Sequence, residues 1–351
     1  MRIFHVITLS ALGGAQSVVC NLANNQCFEN EVFVISGFGG DAWSLLDSSV
    51  KVLIIPELKR EISFWDIFVL IKLRFFYHKY NPDIIHLHSS KIGALGRLIF
   101  PSKKNIYTVH GFDSVRIANP HFLFIENLLK NQASYIVGVS EYDKEHLILE
   151  GIRNNVVCIY NGIEDKSRYV VSLFSDIDLK LADIRSHYTN VVMCIARDNK
   201  QKKIDLFFEI AYKISNVAFV WIGNEDLYTN IPHNVFLMGK ISNASSYLRY
   251  ADLFILPSNY EGLPVSIIEA LSFNKPVIAS NVGGVSEILD GNNGFAVENR
   301  VEDFVEKIIY ILSNAERMDK MRKRAKDTFL EKFTIDKMID SYYRLYETMY
   351  H

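Results

Sequence analysis

With 351 residues, a formal net charge of −2 and 49% hydrophobic residues, the chain is too long for one ordinary domain, and two of roughly 150 to 180 residues can each have a core. The near-neutral balance excludes a protein built to coat nucleic acid, which needs a basic excess to neutralise phosphates. Cys20, Cys27, Cys158 and Cys194 fall in apolar runs, with neither the close pairs of a zinc site nor a secreted disulfide framework, so a reducing cytoplasm is expected.

The opening MRIFHVITLSALGG has the charge and apolar run of a signal peptide, but His5 interrupts it and a Gly–Gly turn follows, so a buried first strand is expected. The runs RIFHVIT, EVFVIS, KVLIIP, DIIHLH, NIYTVH, YIVGVS and VVCIYN then alternate with helical patterns up to Ile163. Such alternation predicts a parallel sheet with helices on both faces. Segment 62–80 mixes Phe64, Trp65, Phe68, Phe75 and Phe76 with Lys72, Arg74 and Lys79, which suits either an interfacial helix or a core-facing amphipathic one. Lys72 and Arg74 also break the best candidate for a membrane span, which needs about 18 uninterrupted apolar residues. The chain is therefore expected to be soluble or held at a membrane surface.

Residues 164–190 are polar and weakly periodic and are assigned as a linker between domains 1–163 and 191–334. Strand runs restart with VVMCIAR, VAFVWIG, NVFLMG, LFILPS, PVIASN and GFAV. The last segment, 335–351, carries an aromatic stripe suited to packing back on the first domain. The fold class predicted is α/β, two doubly wound, Rossmann-like domains in tandem. Ligands of such sheets bind beyond the carboxyl ends of the strands, so the two sites are expected to face each other across a cleft.

The most informative stretch is LPSNYEGLPVSIIEALSFNKPVIASNVGGVSEI, residues 256–288. A strand ends in a polar loop, and Pro264 sits where a helix should begin, at a position where its missing N–H costs nothing. Free amides around Gly262, Leu263 and Val265 would form a site for phosphate or sugar hydroxyls. Glu261 precedes that helix and Glu269 lies within it, so two carboxylates can address opposite ends of one ligand. An ionised Glu269 suits a ribose diol. Taken alone, both glutamates equally fit solvated charges at a helix end.

The spacing EGLPVSIIE resembles the Glu-x7-Glu signature of glycosyltransferase family 4, retaining enzymes of the GT-B fold, and the likeness extends over nearly the whole chain. The resemblance implies that Glu269 binds the nucleotide ribose and that Glu261 contacts the transferred sugar. IARDNKQKKIDLF resembles the family's Arg-x4-Lys diphosphate clamp, implying Arg197 and Lys202. Fixed cations there stabilise a leaving diphosphate as its charge grows. Asp198 and Lys203 depart mildly from the family pattern. Gly13 and Gly14 match its glycine-rich loop, with Gly14 toward the donor and Gly13 toward the acceptor. They do not complete G-x-G-x-x-G, so a dinucleotide cofactor is disfavoured. In TVHG, His110 is implied to contact the donor sugar, while His88, Ser89, Ser90 and Lys91 line the acceptor side. Gly223 and the stretch Gly239 to Ile241 resemble the base-side loops. Gly283, Gly284 and Glu287 match a loop packed behind the site, where a structural role is favoured. Asp176 and Asp178 form a D-x-D, but away from any strand end, and no metal is assigned to them.

These expectations amount to metal-independent, retaining transfer of a hexosyl unit from a nucleoside diphosphate sugar, UDP favoured over GDP, to a hydroxyl. No cofactor and no nucleic-acid partner are expected. Segment 62–80 and DIIHLHSSK resemble members that build bacterial capsule and O-antigen polysaccharides on polyprenyl diphosphate carriers, placing the chain in the cytoplasm at the inner face of the membrane. Two rivals remain: a sugar-nucleotide 2-epimerase of the same plan, and a catalytically silent partner subunit.

Overall fold

The computed structural model describes residues 1–168 and 175–350. It divides into two compact units, Met1–Gly162 with Ile335–His351, and Ile163–Thr334. The first holds seven parallel strands: β1 (Arg2–Leu9), β2 (Glu31–Gly37), β3 (Lys51–Ile54), β4 (Ile84–His88), β5 (Asn105–Val109), β6 (Tyr135–Gly138) and β7 (Val156–Cys158). Their order across the sheet is β3-β2-β1-β4-β5-β6-β7, so the direction of winding reverses between β1 and β4. The second holds six: β8 (Val191–Ile195), β9 (Ala218–Ile222), β10 (Val235–Leu237), β11 (Leu253–Leu256), β12 (Val277–Ser280) and β13 (Gly294–Val297), in the order β10-β9-β8-β11-β12-β13. Here the reversal falls between β8 and β11. At such reversals the connections diverge to opposite faces and leave a crevice at the carboxyl ends of the strands.

Because side chains alternate along a strand, β1 and β4 present different chemistry to their two faces. Phe4, Val6, Ile85 and Leu87 enter one apolar cluster with Ile92, Tyr107 and Phe112. The opposite face carries His5, His86 and His88, with His5 in register with His86, and Ile7 with His88. The helix Ile335–Tyr350 belongs to this unit and buries Tyr342 and Tyr346.

Within the stretch expected to be a linker, Asp176–His187 is a helix of the second unit. Its start is a capping box: the Asp178 N–H donates to the Ser175 hydroxyl at 3.2 Å, and the Asp178 carboxylate accepts the Ser175 N–H at 3.1 Å. Such reciprocal caps satisfy two otherwise orphaned amides. Only Asp178, Leu181 and Ile184 of this helix are buried, so its apolar periodicity is faint. The expected linker residues 169–174, and residue 351 of the last segment, lie outside the described residues.

Candidate functional site

In the second unit, hydrogen bonds lace the loop after β8 to the loop after β11. The Asn259 N–H donates to the Gln201 carbonyl at 2.8 Å, its side-chain amide to the Lys200 carbonyl at 2.7 Å, and Gln201 Nε2 to the Tyr260 carbonyl at 2.8 Å. From behind, the Ser258 N–H donates to Ser280 Oγ at 2.7 Å, Ser280 donates to Asn299 Oδ1 at 2.6 Å, and Asn299 returns a bond to the Ser258 carbonyl at 2.8 Å. With both loops pinned, Lys202 meets Glu261 in an ion pair whose side chains are 15% and 6% exposed. Ser258 Oγ donates to the same carboxylate at 2.6 Å. A carboxylate this buried is tolerable because it is paired and hydrogen-bonded.

Gly283 explains the Gly–Gly loop behind the site. Its φ is +56°, and a Cβ would stand 2.0 Å from the Glu261 carbonyl oxygen, while the Gly284 N–H donates to the Gly262 carbonyl at 2.8 Å. Only glycine allows this approach. The helix Val265–Ser272 then starts with no side-chain cap from Pro264, and its positive end lies at this turn. Pro264 occupies the capping position, one residue ahead of the first helical one. Glu269, partly buried on this helix, has its carboxyl pushed up by burial, an effect opposed by Lys166 and by a hydrogen bond to Ser245.

Arg197 follows β8 and is exposed. Its neighbour Asp198 accepts the N–H groups of Glu225 at 3.0 Å and Asp226 at 2.8 Å, and the Tyr228 hydroxyl at 3.2 Å. Burial works to raise its pKa, but the bonds from Asp226 and Glu225 hold it below the ordinary value. Asp198 thus orders the loop after β9. Gly223, at φ +116°, brings that loop's backbone against the Ala196 carbonyl and donates to the Gly239 carbonyl at 2.8 Å. Ile241, two residues on, is half-buried. The second Asp of the D-x-D, Asp178, is an ion-pair partner of Arg249.

In the first unit, Gly13 and Gly14 lie at the uncapped start of the helix Gly14–Gln26, directly after β1, and Gly14 is exposed. Ser89 exchanges a hydroxyl bond with Thr8 at 2.7 Å. Two acceptor-side residues are placed otherwise than expected. Lys91 pairs with Asp66 at 2.7 Å and donates to the Lys59 and Glu61 carbonyls, so it fastens the chain ahead of the helix Asp66–Tyr80. His88 is fully buried: its ring nitrogens lie 3.1 Å from His5 Nδ1 and 3.1 Å from His110 Nε2. Burial pushes His5 and His110 down to about 4, and His86 and His88 well below their ordinary value. All four rings are therefore neutral near pH 7. The His5, His86 and His88 nitrogens lie close enough to hold a metal, but Gln26, Tyr346, Thr108, His110 and the rings themselves already engage them.

Sequence reasoning missed His5, His86, Gln26, Ser258, Gln201 and the anchoring role of Asp198. The alternation of His86 with His88 along β4 was a visible signal for His86. Gln201 and Asp198 depend on contacts between distant loops, Gln26 on a helix-to-strand contact, and Ser258 on how its own loop folds back to Glu261.

Two family models match the chain: Glycosyltransferase Family 4 over residues 12–167 and Glycosyl transferases group 1 over residues 182–328. Over 99% of this chain and 97% of the relative, it is 27% identical to the UDP-Gal:alpha-D-GlcNAc-diphosphoundecaprenol alpha-1,3-galactosyltransferase of Escherichia coli. The O-antigen biosynthesis glycosyltransferase WbnH of Escherichia coli is 25% identical over 93% of this chain and 94% of its own length. Among solved structures, Anabaena Alr3699/HepE in complex with UDP-glucose superposes with a TM-score of 0.82 at 18% identity, covering 99% of this chain and 100% of that one. Matched in both halves and wound in two parallel sheets, the chain belongs to the family-4-type glycosyltransferases of the GT-B fold, among relatives that build bacterial surface polysaccharide.

Proposed function

We propose that the protein transfers a hexosyl unit, with retention of anomeric configuration and without a metal, from a UDP-sugar to a hydroxyl of a polyprenyl-diphosphate-linked glycan. The observation that carries this reading is the Lys202–Glu261 pair just ahead of the helix Val265–Ser272. A cation for the diphosphate and a carboxylate for the sugar then stand at neighbouring points of one ligand. Arg197 and Lys202 take the negative charge that grows on the leaving diphosphate, the task a metal ion would otherwise perform. Glu269 accepts from the ribose, and Ile241 belongs to the base side. Glu261 and His110 hold the transferred sugar. The acceptor oxygen attacks the anomeric carbon on the face from which the phosphate oxygen leaves, and that departing oxygen takes the acceptor's proton. UDP and the lipid-linked acceptor are favoured because the Escherichia coli relative is named for both and the Anabaena structure holds UDP-glucose.

The acceptor's lipid suggests a use for the helix Asp66–Tyr80. It buries Val69 and Leu73, while Ile67, Phe68, Ile71 and Phe75, with Phe64 and Trp65 ahead of it, remain exposed. Arg74 and Lys79 are exposed beside them, a composition suited to an anionic bilayer surface. No helix of the described residues is long and apolar enough to cross a membrane.

A panel of nucleotide sugars tests the reading by thermal stabilisation. A donor at a hundred times its Kd adds about 2.7 kcal/mol to apparent stability. A UDP-hexose is expected to give the largest shift and to yield a product of retained configuration. An inverted product overturns the mechanism, and free epimerised nucleotide sugar without transfer would instead identify an epimerase.

A further inference from the structure

We propose that Gln26, His5 and His88 are positioning residues that fix His110 as its Nε2–H tautomer, leaving Nδ1 as a bare acceptor for a saccharide hydroxyl at the carboxyl end of β5. The saccharide's identity rests on the transfer reaction proposed above; the tautomer does not.

The chain of bonds begins at the fully buried Gln26. Its Nε2 lies beside the Tyr346 hydroxyl, as an amide donor facing a phenol, though it makes no full hydrogen bond among the described residues. That orientation turns Gln26 Oε1 to His5 Nε2, at 2.8 Å. A carbonyl oxygen can only accept, so the proton sits on His5 Nε2. Since a neutral imidazole carries one N–H, His5 Nδ1 is bare and accepts from His88 Nε2 at 3.1 Å. By the same rule His88 Nδ1 is bare and accepts from His110 Nε2 at 3.1 Å. His110 is then left with a bare Nδ1, for which no hydrogen-bond partner exists among the described residues.

Each step requires neutral rings, and burial supplies that condition for all three. His86 does not divert the chain. Its Nδ1 is 2.7 Å from the Tyr346 hydroxyl and its Nε2 2.7 Å from Thr108 Oγ1, which in turn meets the Tyr342 hydroxyl at 3.0 Å. His5, His86 and His88 are closed to solvent, whereas His110 is only partly buried. The one open end of the relay is therefore the nitrogen that follows β5. Reversing the Gln26 amide would reverse every donor in the row and make His110 Nδ1 a donor.

Long-range 1H–15N correlation spectra of the full chain, labelled with 15N-histidine, report which nitrogen of each ring is protonated. The His110 signals are assigned by their loss in His110→Asn. At pH 7 the expected result is a protonated Nε2 and bare Nδ1 at His110. In Gln26→Met, which removes the directing acceptor, His110 is expected as a mixture of tautomers, with kcat for sugar transfer about tenfold lower and KM for the nucleotide sugar unchanged. A wild-type His110 protonated at Nδ1, or at both nitrogens, overturns the proposal, as does a Gln26→Met protein with wild-type kcat. If Gln26→Met does not fold, the wild-type spectrum still decides. If no sugar is transferred at all, the reaction proposed above fails while the spectrum still settles the tautomer.

Discussion

At the β1/β4 reversal the first unit buries His5, His86 and His88 as neutral, hydrogen-bonded rings, while at the β8/β11 reversal the second unit gathers Lys202 and Glu261 as an ion pair. The two sheets share a winding plan and differ in how they treat polar groups at the same topological point. Neutral imidazoles can be sealed under Tyr342 and Tyr346 because each nitrogen finds a partner, which offsets the cost of leaving water. An ion pair sealed equally deeply carries a larger desolvation cost, which further hydrogen bonds have to offset, as they do for Arg97 and Glu126 elsewhere in the first unit. Left partly open, it can exchange its partner for a charged ligand. The shared winding plan therefore does not fix which polar groups gather at the reversal.

The sharpest way to break the comparison is Lys202→Ala. It strands the buried Glu261 and, in the proposed mechanism, removes a cation from the leaving group, and turnover is expected to fall at least about tenfold, equivalent to ~1.4 kcal/mol or more. Glu269→Ala is expected to lose about tenfold through the donor. Steady-state kinetics on both variants check this, and wild-type rates in both would undo the donor-site assignment.

The histidine row is probed by acid. The unfolded chain takes up a proton at His5 near pH 6.5, whereas the folded ring refuses it until about 4. Stability is therefore lost as pH falls through that window, by about 2 kcal/mol at pH 5 for His5 alone. Carboxylates held down by cations, such as Glu31 and Asp165, titrate only lower, and the raised Glu269 works in the opposite direction, so a loss between pH 7 and pH 5 reports the rings. A drop of several degrees is expected at pH 5, at ~2–4 °C per kcal/mol. An unchanged melt would mean the rings are not held neutral.

The smallest effect is expected at the D-x-D. Asp176→Asn should leave turnover within about twofold, because Asp178 serves a helix cap and Arg249 rather than a reaction. A rate loss restored by added divalent cation would make the pair a metal site.

All thirteen strands of the structure coincide with β-branched runs that the sequence displays, since alternation and buried apolar runs are local codes. The loop after β11 and the helix that follows it were legible as well, because a strand end, a proline and a glycine mark them within a dozen residues or so. The helix Asp176–His187 was not, since a cap outweighed a weak apolar stripe. Lys91 and His88 were misplaced toward an acceptor surface for a related reason. Position after a strand says which end of the sheet a residue occupies, not whether a neighbour such as Asp66 or His110 has already claimed it.

The amino-acid sequence by itself determined two wound sheets and the residue types at the ends of their strands, because those follow from periods of two and of three to four residues along the chain. Tertiary structure alone decided which of those residues meet. Lys202 reaches Glu261 across 59 positions and His86 reaches Tyr346 across 260. Separations of that size are set by strand order and loop closure, which no local pattern encodes.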